Sequence, residues 1–180
     1  YDDRLVVSNG FWGMQMNDTL LFGNNQFQIG GPKLVNDTFT LRTGKTVVEN
    51  YHEYDLQFSE QQKIQIRLFN NAFAFRYLIQ DKNQWHVLNE MSSWTVPDSI
   101  QTWFFERENH WKLKSYAGEW KSCRADSLYS ISSVGPVQGP PLIFEYGNEI
   151  YGRLTEAALY NYSGMRLRAE ENGQLSIDFT

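Results

Sequence analysis

The sequence predicts an all-β protein, an antiparallel β-sandwich with little helix. Three observations lead there. Apolar and polar residues alternate with period two over several short runs, turn-forming residues separate those runs, and helical periodicity is scarce. A strand sends successive side chains to opposite faces, so such alternation marks ribbons with one face in a core and one in water.

The clearest element is a hairpin. Ile64, Ile66 and Leu68 fall on one face, with Gln65, Arg67 and Phe69 on the other. Asn70-Asn71 supplies a turn, after which Phe73, Phe75, Tyr77 and Ile79 alternate with Ala72, Ala74, Arg76 and Leu78. In chain order, further strands are predicted over Arg4–Val7, Phe11–Met16, Phe27–Ile29, Thr38–Arg42 and Tyr51–Ser59. Five more are predicted over Trp85–Met91, Leu142–Tyr146, Glu149–Leu154, Gly164–Ala169 and Gln174–Phe179. Asn9-Gly10, Gly30-Gly31-Pro32, Gly147-Asn148 and Asn172-Gly173 are among the breaks between them. Trp103–Tyr116 is polar and aromatic and fits one short helix or an irregular loop. Gly135-Pro136 and Gly139-Pro140-Pro141 read as an extended approach to the strand at Leu142, because a residue before proline is pushed out of the helical region. With no internal repeat, low-complexity tract or heptad seam, residues 1–180 are expected to form one domain.

Composition narrows the function classes. The 180 residues carry a net charge of −5, with 41% hydrophobic and 21% charged residues, as in an ordinary globular domain. The cations are scattered, with no stripe able to follow a phosphate backbone, so nucleic-acid binding is not expected. No run approaches the roughly 18 apolar residues of a membrane-spanning helix. The chain starts at Tyr1 without an apolar leader, which reads as a mature or trimmed form. One cysteine, Cys123, excludes an internal disulfide and reads as a small apolar residue. Aromatic residues reach 16%; most are expected in core and sheet, since they suit pleated, half-buried surfaces, and a minority in a sugar-stacking platform or a face docked on another domain.

The sequence carries no recognisable catalytic set. His52, His86 and His110 have no zinc-ligand spacing, and neither a nucleophile elbow nor a phosphate loop occurs. Glycoside hydrolysis needs two carboxyl groups roughly 5–10 Å apart. Glu49, Glu53 and Asp55 gather near one strand start, while Glu106 and Glu108 flank Arg107 as a solvated cluster. A different segment stands apart: Leu154-Thr155-Glu156-Ala157-Ala158-Leu159-Tyr160-Asn161-Tyr162-Ser163-Gly164-Met165, in which a strand end carries a carboxylate into a loop.

That segment resembles the closing motif of the N-terminal domain of glycoside hydrolase family 97, in the form Glu-Ala-Ala-Leu-x-x-Tyr-Ser-Gly-Met. Glu49-Asn50-Tyr51-His52-Glu53 is similar to the family's Tyr-x-Glu strand, and Arg67–Tyr77 to its hairpin ending in Ala-Phe-Arg-Tyr. The likeness runs from about Lys45 to Met165; an opening Ser-Pro-Asp-like strand is not evident in Tyr1–Thr43, and Trp94–Ser122 matches in aromatic character alone. The resemblance implies a sandwich of the super-sandwich type ahead of a catalytic (β/α)₈ barrel, in a bacterial, periplasmic or secreted α-glucosidase or α-galactosidase. The acid and the base or nucleophile would lie on that barrel, which is absent from this chain, so the chain alone is expected to be inactive. The resemblance also implies a calcium ion beside an α-linked oligosaccharide, with Glu156 as the sandwich's metal ligand. Arg76 is expected to pair with a carboxylate such as Glu53. The alternative is a free-standing, lectin-like module that binds sugar on Trp103, Trp111 or Trp120.

Overall fold

The computed structural model describes residues 6–23, 26–80, 85–106, 119–131, 136–147 and 149–179. They group into two compact units, those within 1–23 and 86–180 and those within 24–85. The first unit opens with β1 (Ser8–Phe11), β2 (Met14–Met16) and β3 (Thr19–Leu21). The second unit holds β4 (Gln28–Ile29), β5 (Lys33–Thr40), β6 (Thr46–Ser59), β7 (Gln62–Leu68) and β8 (Phe73–Ile79). The chain then re-enters the first unit through β9 (Val87–Glu90), β10 (Ser93–Thr95), β11 (Gln101–Glu106) and β12 (Glu119–Arg124). A short helix, α1 (Leu128–Ile131), precedes β13 (Val137–Gln138), β14 (Leu142–Glu145), β15 (Tyr151–Leu154), β16 (Arg166–Ala169) and β17 (Gln174–Asp178).

The 24–85 unit is one antiparallel sheet built on β6. β7 and then β8 lie along one edge of β6, while β5 and β4 share the other edge end to end. The expected hairpin is present, with Ile64 opposite Tyr77, Gln65 opposite Arg76 and Ile66 opposite Phe75. Phe69 N–H donates to Ala72 C=O at 2.9 Å and closes its turn. Phe73, Phe75 and Tyr77 form a row of rings, 6.1 and 5.7 Å apart, on the face that also carries Ile64 and Ile66.

The opposite face is a charge ladder. Arg67 meets Glu53 at 3.0 Å, Lys63 meets Asp55 at 2.6 Å, and Gln65 donates to Asp55 at 3.1 Å. The expected Arg76–Glu53 pair is not made. Register sets Arg67 opposite Glu53 and leaves Arg76 one strand further out, where it donates twice to Gln65 Oε1, at 3.0 and 2.6 Å.

The larger unit contains the sandwich. One sheet runs β1-β10-β17-β16-β13 and a second runs β12-β11-β14-β15, with β3-β2-β9 as a third. Between the first two lies the core: Phe104 from β11, Leu142 and Phe144 from β14, Leu167 and Ala169 from β16, Leu175 from β17, and Val96, Ala125 and Leu128 from the connections. Alternation explains the set: Leu142 and Phe144 point inward while Ile143 and Glu145 do not. All strand pairs among the described residues are antiparallel, so the all-β sandwich expected from periodicity is the observed class.

Several boundaries differ from expectation. The run Phe11–Met16 is broken at Trp12-Gly13, because β1 and β2 belong to different sheets. Arg4 and Leu5 lie outside the described residues, and the first strand starts at Ser8. Gln101–Glu106 is a strand, so the start of the ambiguous stretch Trp103–Tyr116 is neither helix nor loop; residues 107–116 lie outside the described residues. Its alternation is masked in sequence because aromatic rings occupy both faces: Phe104 faces the core while Trp103 and Phe105 do not.

Candidate functional site

β15 ends at Leu154, and the chain then runs without regular structure to β16 at Arg166. Two non-glycine residues of this loop, Ala158 and Asn161, hold positive φ angles of 53° and 52°. Asparagine tolerates that region, whereas alanine carries a steric cost there, so the loop needs anchors. Its base is closed by Glu156, whose Oε2 accepts the Met165 backbone N–H at 2.6 Å. Glu156 is half-buried, while Leu159 and Tyr160 at the loop's tip are exposed.

A second anchor comes from β9. Glu90 is 6% exposed and pairs in register with Met14 of β2, itself buried. Its Oε2 accepts the Tyr162 hydroxyl at 2.7 Å and its Oε1 accepts the Ser92 hydroxyl at 2.7 Å. The Tyr162 ring also meets Phe179 edge-on at 5.7 Å. Burial pushes the Glu90 carboxyl above the ordinary carboxylate range; the two hydroxyl bonds oppose that shift and the charge of Glu156 adds to it. The two carboxylates are therefore close enough to sense each other. Glu90 was not singled out by sequence. Its one local signal is a carboxylate at a strand end in front of Ser92-Ser93, and nothing in that pattern shows Tyr162 returning to it from 72 residues away.

The other candidates scatter. Glu53 and Asp55 are absorbed by the charge ladder, and Glu49 lies opposite Asp37 on β6 and β5. His52 stands on β6 and His86 just before β9, both exposed; Arg107, Glu108 and His110 lie outside the described residues. No group of three or more histidine, cysteine or carboxylate side chains able to hold a metal occurs among the described residues. Cys123 sits half-buried on β12 against the core, and burial, with Asp126 nearby, pushes its thiol up to about 11. A thiol held protonated at neutral pH is a poor nucleophile, which agrees with its reading as a small apolar residue.

Trp103 and Trp120 do share a surface. Trp103 pairs with Ser122 and Phe105 with Trp120, so the outer face of the β11–β12 ribbon carries three aromatic rings. The Phe105 and Trp120 rings lie 3.8 Å apart between centroids, tilted by 38°, and Trp103 and Trp120 keep part of their surface exposed, at 38% and 46%. Trp103 Nε1–H points to Glu145 Oε2 at 3.4 Å, and Trp111 lies outside the described residues.

Comparison with solved structures shows the same fold in much longer chains. A Glycoside Hydrolase Family 97 enzyme from Pseudoalteromonas sp. strain K8, in complex with acarbose, superposes with a TM-score of 0.79 at 18% identity, over 100% of this chain and 28% of that one. A variant of that enzyme in complex with panose gives 0.79, 18%, 100% and 28% in the same order. A β-arabinopyranosidase superposes with a TM-score of 0.80 at 20% identity, over 100% of this chain and 31% of that one. This chain thus spans about a third or less of the length of the enzymes it matches. A search of the curated proteins returns no match. The family model described as Glycosyl-hydrolase 97 N-terminal matches residues 1–180, so the likeness takes in the first 44 residues that sequence motifs left out. Matched from end to end, the chain belongs to the glycosyl-hydrolase 97 N-terminal family.

Proposed function

We propose that this chain is the non-catalytic N-terminal domain of a bacterial, periplasmic or secreted α-glucosidase or α-galactosidase. In this reading it supports a catalytic barrel on the same polypeptide and lends Glu156 to a calcium site beside an α-linked oligosaccharide. The observation that carries the reading is the hold on Glu156. One of its oxygens is fixed by a backbone N–H, and the loop that carries it is tied to the buried Glu90.

The residues fit such an ion as one contributor among several. Calcium takes six to eight hard oxygen ligands, and the described residues supply no complete set of their own. Glu156 can act as a single carboxylate donor, completed in this reading by oxygens of the barrel. The charge of Glu156 also raises the buried Glu90 carboxyl, and a cation held at the half-buried Glu156 would relieve that repulsion. When bound, calcium would supply positive charge beside the sugar; this chain's part is to orient Glu156.

The test is a calcium titration of hydrolysis by a longer polypeptide that includes the barrel. Glu156→Gln keeps size and one oxygen but removes the charge, and should raise the calcium needed for half-maximal activity by about tenfold or more. An unchanged calcium response would remove Glu156 from the site.

The aromatic face of β11 and β12 favours a second reading, a lectin-like module. Trp103 and Trp120 would stack on sugar rings, with Glu145 beside them as a polar group. Titrating the chain with maltooligosaccharides while following tryptophan fluorescence separates the readings. Saturable quenching lost in Trp120→Ala favours the lectin; a flat titration is expected from the proposed role.

A further inference from the structure

We infer that Glu90 and Tyr162 form a positioning device that sets the geometry of the Glu156 loop; its bearing on metal binding rests on the calcium reading above. The loop runs from Thr155 to Met165 between two strands and contains two residues in the left-handed region. A loop with such residues keeps one shape when its surroundings over-determine it. Four contacts do so here. Glu156 Oε2 accepts Met165 N–H at 2.6 Å and clamps the base. Tyr162 OH donates to Glu90 Oε2 at 2.7 Å and ties down the far limb. Ser92 Oγ donates to Glu90 Oε1 at 2.7 Å, so both carboxylate oxygens of Glu90 are engaged and its rotamer is fixed. The Tyr162 ring rests edge-on against Phe179 at 5.7 Å.

The fixed end of this chain of contacts is stiff. Glu90 ends β9, which pairs with β2, and the Ser92 carbonyl accepts Ile177 N–H of β17 at 3.1 Å. A hydroxyl-to-carboxylate bond out of water is among the stronger hydrogen bonds a side chain makes. Replacing either partner removes the hydroxyl tie on the limb 157–164 while leaving the clamp at Met165 chemically intact. Glu90 therefore acts through Tyr162 on Glu156 and need not touch a metal or sugar itself.

The experiment is amide hydrogen exchange on the 180-residue chain. Tyr162→Phe keeps the ring and its contact with Phe179 but removes the donor. It should speed exchange at the Met165 amide by about tenfold, the effect of losing one charged hydrogen bond. Amides of β16 and β17 should be unchanged. Glu90→Ala should reproduce this, and Glu90→Gln, which retains an acceptor oxygen for the Tyr162 hydroxyl, should restore most of the protection. An unchanged Met165 amide in Tyr162→Phe overturns the inference, and so does equal acceleration throughout β16 and β17, which would mark general loosening. In the longer polypeptide, a raised calcium requirement for Tyr162→Phe as well as Glu156→Gln supports the device and the calcium reading together. A raised requirement for Glu156→Gln alone overturns the device's bearing on metal binding. Faster Met165 exchange with an unchanged calcium response in both variants supports the positioning and overturns the calcium reading.

Discussion

Phe104→Ala is expected to destabilise the sandwich unit by about 3–5 kcal/mol. Phe104 is fully buried, at 0% exposure, and belongs to the cluster drawn from both sheets of the sandwich. Truncating it removes ring area from that interface and leaves a void among Leu142, Leu167, Leu175 and their neighbours, which relax by partial collapse at best. Urea unfolding followed by near-ultraviolet circular dichroism measures the effect as a lower midpoint at similar slope. A loss under about 1 kcal/mol would mean that the two sheets do not share this core.

Gly173→Ala is expected to cost about 2–4 kcal/mol, more than a helix or strand interior pays for losing a methyl group. Gly173 has φ +68°, and a Cβ there would stand 2.5 Å from the Val96 carbonyl oxygen. That oxygen belongs to backbone, and the same stretch is pinned by Val96 N–H donating to Gly173 C=O at 3.1 Å. Left-handed geometry and a backbone collision therefore add. Gly147→Ala separates the two contributions, because Gly147 also has a positive φ, +75°, but nothing lies within 4 Å of its would-be Cβ. It should cost about 1 kcal/mol, the conformational part alone. Equal losses in the two variants would remove the collision from the explanation.

That turn was legible in advance. Asn172-Gly173 between two alternating runs is a strong short-range signal for a β-hairpin, and β16 and β17 pair across it. The Asn70-Asn71 hairpin was legible for the same reason, since alternation and turn residues are local properties. What alternation cannot carry is partnership. A carboxylate such as Glu53 suits Arg76 by charge alone, but β7 stands between their strands, so Glu53 takes Arg67 and Arg76 takes Gln65. β11 was hidden because the outer face of its sheet is aromatic, like the inner one. Glu156 came into view through its motif rather than through any pattern of charge or period. Glu90 stayed hidden because its meaning depends on a tyrosine distant in sequence that is brought to it by the meeting of β9 with the loop before β16.

Hydrolysis of nitrophenyl α-glycosides by the purified 180-residue chain tests the central claim most directly. A domain that positions one carboxylate for an active site built elsewhere should show no turnover above the uncatalysed rate, with or without calcium. Robust turnover, abolished by Glu156→Gln or Glu90→Gln, would place the chemistry within this chain and contradict the supporting role.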